Sequence, residues 1–284
     1  MSLRSLGAII PTRIYPAVGG RAFLGGVAFD DVTMEEAIGQ ISRLIDNRQP
    51  HFVCTGNVDH LYLLQSDEAF QEAYRNAALV LADGMPILWL SRLARQGAQL
   101  RERVAGSDLF WELARLSHEQ GTSLFFLGGA PGSAEKSKEK VLERYPNANI
   151  VGVYCPPFEN FDSPEVQEEI QRQVREANPD VLLVGFGAPK QEKWILKYRD
   201  VLGVPVSVGV GGTFEMAGGV VKRAPKWVGR VGMEWAYRFA QDPTRLYKRY
   251  FCHDLPFLMH LSLKILRGSS KDSREDAPAH LPIT

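Results

Sequence analysis

From Thr122 to Val210, short apolar runs and amphipathic stretches alternate at a nearly constant spacing, and few architectures accept that pattern. The runs Ser123–Leu127, Ile150–Tyr154, Val181–Gly185 and Val206–Val210 lack the polar alternation of a half-exposed strand. Strands buried on both faces read this way, and they occur where helices cover both sides of a parallel sheet. Between them lie candidate helices at Ser133–Arg144, from Ser163-Pro164 to just before Pro179, and at Gln191–Leu202. The expected class is α/β, a mostly parallel sheet with helices on both faces.

The first half fits the same scheme less regularly. Phe23 to Phe29 reads as one short strand, and Thr33-Met34-Glu35-Glu36 opens a helix to about Asn47 with a capping-box pattern. Phe52–Thr55 is a second strand, followed by a helix from about Asp59 to Ala77. Leu79–Ala82 is a buried strand that ends abruptly in Asp83, where Gly84 and Pro86 turn the chain into a helix reaching about Arg95. A last helix, Leu109–Glu119, takes Ser107 or Asp108 as its cap. Nothing inside 21–218 forces a domain boundary, so this stretch is expected to be one unit. Residues 1–20 are expected to be a flexible lead-in and 268–284 a disordered tail.

If the strands are parallel, their following turns share one edge of the sheet, where open α/β sheets collect ligands. Those turns hold Thr55 and Asn57, Asp83, Gly128 and Gly129, the run Gly185 to Glu192 with Gln191, and Gly211, Gly212 and Glu215. Glycine lets backbone N–H groups approach an anion, and a helix N-terminus favours negative charge. Tight strand-to-helix turns want glycine in any case, and an Asp after a strand commonly caps a turn, so each turn by itself fits both readings. Gly185-Phe186-Gly187 lacks the third glycine of a dinucleotide fingerprint, which disfavours a nicotinamide enzyme. No Asp-x-Asp occurs and the histidines show no ligand spacing, so no metal is expected. No Gly-x-Ser-x-Gly occurs either.

The formal net charge is zero, but the average conceals an asymmetry. Between residues 222 and 249 eight basic side chains face only Glu234 and Asp242. Trp227, Trp235, Tyr237, Phe239, Tyr247, Tyr250 and Phe251 are interleaved with them, and an apolar run follows from Leu255 to Leu266. A basic, aromatic-rich appendage over 219–267 suits an anionic membrane surface or a clamp on phosphates. A solvated basic face over a packed core fits as well, and RNA binding is weakened by the absence of any nucleic-acid motif. Arg103, Arg238, Arg245 and Arg249 are the candidates for neutralising a diphosphate. The last three lie at steps of seven and four, on one helical face unless Pro243 breaks it. Three scattered cysteines make neither a disulfide framework nor a zinc pattern and suit a reducing compartment. No signal peptide is evident, and no apolar run reaches the roughly 18 residues of a membrane span. The expected location is the cytoplasm, with surface attachment to a membrane left open.

Several motifs in order carry a family resemblance over about residues 23–250. They are Thr55-x-Asn57, Ala82-Asp83-Gly84-x-Pro86, Arg103-Val104-x-Gly106-x-Asp108, Gly187-Ala188-Pro189-Lys190-Gln191-Glu192-Lys193-Trp194, Gly209-Val210-Gly211-Gly212-x-Phe214, Lys222-Arg223-Ala224-Pro225 and Glu234-Trp235-x-x-Arg238. Together they resemble the WecG/TagA/CpsF glycosyltransferases. The resemblance implies a modified Rossmann-like sheet with a basic helical C-terminal appendage that completes the site at the inner face of the cell membrane. It implies metal-independent, inverting transfer from a UDP-sugar to a polyprenyl-diphosphate-linked saccharide, with no cofactor and with a homo-oligomer as one arrangement. Carried across, it makes Asp83 the general base, places Thr55, Asn57 and Gln191 near the acceptor or transferred sugar, and makes Arg103 a further site residue. Arg238 and Arg245 become ligands of the diphosphate, with a further arginine position falling at Lys248 or Arg249. Two departures stand out. Glu215 replaces the usual Asp, leaving its role toward the nucleoside open, and Gly56 replaces a common Pro, read as a backbone effect only. The rival readings are an NAD(P)-dependent nucleotide-sugar enzyme and a non-catalytic nucleotide- or lipid-binding protein.

Overall fold

The computed structural model of the chain describes residue 9 and residues 19–94, 97–222, 224–225, 228 and 232–267. Most of the lead-in 1–20, with Arg223, Lys226, Trp227, Arg230 and the tail 268–284, lies outside the described residues.

Strands β1 (Arg21–Leu24) and β2 (Val27–Asp30) form an antiparallel hairpin, with Leu24 opposite Val27. The run from Phe23 to Phe29 is therefore two strands rather than one. Gly25 and Gly26 have φ of +58° and +89°, the left-handed pair that a two-residue hairpin turn requires. Ile9 bridges to Val27 and is fully buried. Helix α1 (Met34–Asn47) starts at the expected capping box, in which Thr33 Oγ1 accepts the Glu36 N–H and Glu36 accepts the Thr33 N–H.

The main sheet has six strands in the order β4-β3-β8-β7-β5-β6: β3 (His51–Gly56), β4 (Leu79–Ala82), β5 (Ser123–Gly128), β6 (Asn149–Tyr154), β7 (Val181–Gly185) and β8 (Val206–Gly209). Every neighbouring pair is parallel. Successive side chains enter opposite layers, as the two-residue period of a strand demands. Phe52 and Cys54 join one apolar core and Val53 the other, and the same split separates Leu182 and Val184 from Val181 and Leu183. This is the expected α/β, Rossmann-like arrangement.

One layer holds α1, α5 (Gly106–Gln120), α6 (Ser133–Arg144) and α9 (Thr213–Ala217). The other holds α2 (Val58–Leu63), α3 (Glu68–Arg75), α4 (Met85–Leu93), α7 (Pro164–Ala177) and α8 (Lys190–Leu202). The single helix expected over 59–77 is two, α2 and α3. Asp67 accepts the Phe70 N–H at 3.0 Å and caps a new helix start, a role that Asp fills better than a helix interior.

The appendage consists of α10 (Glu234–Gln241), α11 (Pro243–Tyr247), a π-helical turn (Lys248–Asp254) and α12 (Leu255–Leu266). The helix breaks at Asp242, whose φ of −143° and ψ of 71° precede Pro243. Arg238 thus sits on a different helix from Arg245 and Arg249, and the three do not share one continuous face. Phe257 and Leu261 of α12 are buried against the body, next to the core that contains Leu24 and Leu61.

Candidate active site

The parallel sheet brings the expected turns to one edge, and hydrogen bonds stitch neighbouring turns together. Gly129 N–H donates to the Gly185 carbonyl at 2.9 Å, and Thr55 Oγ1 donates to the Gly209 carbonyl at 3.2 Å. Glu215 Oε1 accepts the Ala130 N–H at 2.7 Å, so this carboxylate spans the turns after β8 and β5. A Cβ at Gly187 or Gly211 would meet no atom within 4 Å, and both glycines have positive φ. The edge is therefore open in front of these two turns.

Asp83 follows β4, and its N–H donates to the Gly56 carbonyl at 2.8 Å, extending the strand pairing by one bond. Gly84, at φ +113°, then turns the chain sharply into α4. Asp83 Oδ2 accepts the Gly106 N–H at 3.4 Å, a long bond to the first residue of α5. The expected caps, Ser107 and Asp108, do not cap this helix. It begins earlier, after Ala105, and Asp83 from another strand faces its N-terminus. Asp108 instead accepts from Arg103 Nη2 at 2.9 Å, while Arg103 Nη1 donates to Glu234 Oε2 at 2.8 Å. Glu234 lies 3.5 Å from Arg238 Nη2, one turn along α10.

These charges set the protonation of Asp83. Burial raises its carboxyl most, and the nearby Glu234 carboxylate adds to the rise. Arg103, Arg238 and the Gly106 N–H oppose it, and the balance leaves the group pushed up from 3.8 to about 6. Burial works against the charge of Arg103 too, but Asp83, Glu234 and Asp108 outweigh it and hold the guanidinium above its ordinary range. A partly buried carboxylate that titrates near neutrality is suited to proton abstraction. Glu234 was legible only as part of a motif; its partner 131 residues away gave no local signal.

Gln191 is buried and fully engaged. Its Oε1 accepts from the N–H groups of Gly187 at 3.2 Å and Gly211 at 3.0 Å, tying the turns after β7 and β8, and its Nε2 donates to Glu192 Oε1 at 2.8 Å. Glu192 is 1% exposed, and its second oxygen has no partner. Burial drives its carboxyl up to about 7 against the pull of its hydrogen bonds. Asn57 spends its side-chain oxygen on the His60 N–H at 3.1 Å, capping α2. Gly56 proves more than a backbone preference. A Cβ there would lie 2.8 Å from the Phe29 ring and 3.0 Å from the Tyr74 hydroxyl, so two large buried side chains occupy the space.

Arg249 is held between Asp59 at 3.3 Å and Asp254 at 3.6 Å, where the π-helical turn meets α2. Next to it His253 stacks on Tyr62 with ring centroids 4.8 Å apart. Arg245 is on α11, and its side chain lies outside the described residues. Beyond these contacts the appendage presents a second surface. Tyr247, Phe251, Leu255, Met259, Leu263 and Leu266 recur at steps of four and three, and all are exposed. With Phe257 and Leu261 buried on the body side, the last helix is apolar on both sides. Among the described residues no helix is long and apolar enough to cross a membrane.

Residues 22–271 match the model of the glycosyl transferase WecG/TagA/CpsF family. The N-acetylglucosaminyldiphosphoundecaprenol N-acetyl-beta-D-mannosaminyltransferase of Bacillus subtilis is 31% identical over 203 residues, covering 71% of this chain and 75% of that protein. Its namesake in Bacillus spizizenii is 30% identical and covers 80% of this chain and 84% of its own length. The namesake in Staphylococcus aureus is 27% identical over 248 residues, with coverage of 87% and 93%. A family match across nearly the whole chain, over the sheet edge that gathers Asp83, Arg103 and Gln191, shows that the chain is a glycosyltransferase of the WecG/TagA/CpsF family.

Proposed function

We propose that the protein transfers an N-acetylmannosaminyl group from its UDP-linked donor to a polyprenyl-diphosphate-linked N-acetylglucosamine at a membrane surface, with inversion. The relatives' names supply the sugar and acceptor classes. The observation that carries the reading is Asp83: a partly buried carboxyl pushed to about 6, beside two arginines, at the open edge of a parallel sheet.

In this mechanism the acceptor hydroxyl gives its proton to Asp83 as its oxygen bonds to the anomeric carbon. The bond from that carbon to the diphosphate breaks, and UDP leaves with the electron pair. Arg103, with Arg238 and Arg245 from the appendage, meets the charge that grows on the leaving group. The glycine turns at Gly128 and Gly129 and at Gly211 and Gly212 line the donor side, with open space at Gly211, and Glu215 between them faces the nucleoside. Thr55, Asn57 and Gln191 shape the sugar side of the pocket, Gln191 by holding two turns in register. In this reading arginines, rather than a metal ion, carry the charge neutralisation.

The exposed apolar stripe from Tyr247 to Leu266, flanked by Lys248, Lys264 and Arg267, lies on an anionic bilayer and brings the lipid-linked acceptor to the sheet edge. The deciding experiment measures UDP release from UDP-N-acetylmannosamine with and without a lipid-linked N-acetylglucosamine acceptor. Acceptor-dependent release with a β-linked product supports the reading. No release with both substrates present sinks it, as would dependence on added NAD(P).

A further inference from the structure

Glu234 is the first residue of α10, and its helix start has no side-chain cap. Its carboxylate turns instead toward the body of the protein. Oε2 accepts from Arg103 Nη1 at 2.8 Å, and Oε1 lies 3.5 Å from Arg238 Nη2. The Arg103 and Glu234 side chains are 18% and 22% exposed, well below the exposure at which ion pairs contribute little. Arg103 is gripped on its other nitrogen by Asp108 of α5, so its guanidinium is held between a carboxylate of the body and one of the appendage. Two cations brought together beside a carboxyl repel one another unless an anion stands between them.

We propose that Glu234 is a positioning residue that docks the appendage by holding Arg103 and Arg238 together next to Asp83. The proposal rests on the reading of Asp83 as base and of the two arginines as ligands of the diphosphate. Docking and chemistry are then linked. When α10 is seated, the arginines are placed for the leaving group and the base gains a negative neighbour. When α10 swings away, Arg103 loses one of its two anchors.

The charges facing Asp83 come from every side: Glu234 and Arg238 on α10, Arg103 from the segment before α5, the Gly106 N–H at the start of α5, and Tyr74 on α3. Glu234 is the member of this set that raises the Asp83 carboxyl, while the arginines and the N–H lower it. Removing the Glu234 charge therefore favours the ionised base at lower pH. Hydration of Asp83 by loosened packing acts in the same direction, so the charge-keeping Glu234→Asp variant is needed beside it.

The test uses the full chain with donor and lipid-linked acceptor. In Glu234→Gln the acid limb of the kcat/KM profile is expected to move down by about half to one pH unit, and the donor KM to rise several-fold. Glu234→Asp, which keeps the charge on a shorter stem, restores the position of the limb. A second arm needs no activity. Hydrogen exchange over 234–241 speeds up in Glu234→Gln and in Arg103→Gln, and the double variant loses less protection than the two single losses summed, because the pair acts as one contact. A wild-type profile with no acid limb near pH 6 removes the base reading and leaves the exchange arm to decide on Glu234. An unmoved limb in Glu234→Gln, or losses of protection that simply add in the double variant, overturns the proposal.

Discussion

The N–H of Gly106 points at Oδ2 of Asp83 across 3.4 Å, so the N-terminus of α5 faces the carboxylate that ends β4. A helix N-terminus favours an anion, and here it counters part of the cost of burying one. Burial still prevails, because the carboxyl rises to about 6.

Asp83→Asn is expected to lower turnover by about 10²–10⁴-fold while UDP binding persists. Its stability should move the other way. A carboxyl whose folded pKa is raised contributes stability below its unfolded pKa and loses it as pH climbs through the folded value. At pH 8 the wild type bears that penalty, at most about 3 kcal/mol for a rise from 3.8 to about 6, and Asn does not. Thermal melts at pH 4 and pH 8 check this: the gain of the variant over the wild type is small at the lower pH and fully developed at the higher.

Glu192→Gln keeps an acceptor for Gln191 Nε2 and removes a carboxyl that burial holds at about 7. The same sign applies, so wild-type stability declines as pH rises from about 4.5 to about 7, and the decline is shallower in the variant. Glu192→Leu leaves the Gln191 amide unpaired, a loss of about 1–3 kcal/mol that does not itself vary with pH. Urea midpoints across the pH range distinguish the two.

Gly56→Ala forces a methyl group against the Phe29 ring and the Tyr74 hydroxyl. Overpacking of this kind costs about 1–3 kcal/mol. Adding Phe29→Leu should return part of that loss. Melting temperatures of the two single variants and the double variant measure the coupling; strict additivity contradicts the steric account.

Met259→Asp with Leu263→Asp places two charges on the exposed stripe of α12 and touches neither Phe257 nor Leu261 on the buried side. Sedimentation with anionic vesicles should drop at least tenfold with the melting temperature unchanged. Equal sedimentation of wild type and variant rules out this face as the membrane contact.

Asp254 sits beside Asp59 and Arg249, and burial together with Asp59 pushes its carboxyl up to about 7. Docking of the π-helical turn on α2 is strongest with that proton in place and weakens as pH rises toward about 7. Protection factors over 248–266, with the intrinsic pH dependence of exchange divided out, should fall between about pH 4 and 7 in the wild type, and the fall should flatten in Asp254→Asn.

The parallel sheet was legible because strands buried on both faces leave uninterrupted apolar runs, and the start of α1 because Thr33 and Glu36 satisfy one another within a single turn. The hairpin was missed although its signal, Gly25-Gly26, stood in plain view; the apolar residues on both sides masked it as one strand. The start of α5 was misplaced because its anionic partner, Asp83, comes from a different strand. Asp83, Arg103 and Gln191 were legible as candidates from ordered motifs. The work of Glu234 was not, since a contact between residues 103 and 234 leaves no trace in local spacing.

The place of β8 in the sheet order has a consequence for how the chain is made. Among the strands of the main sheet it is the last to leave the ribosome, yet it lies between β3 and β7 and pairs with both. Until it is synthesised, β4-β3 and β7-β5-β6 are two fragments with no shared strand, each with an unpaired edge open to wrong partners. Completing the sheet joins residues more than 150 positions apart, a slow, non-local step. Translation thus holds the nascent protein as two half-sheets until residue 206 has emerged, and protection by chaperones matters most in that interval.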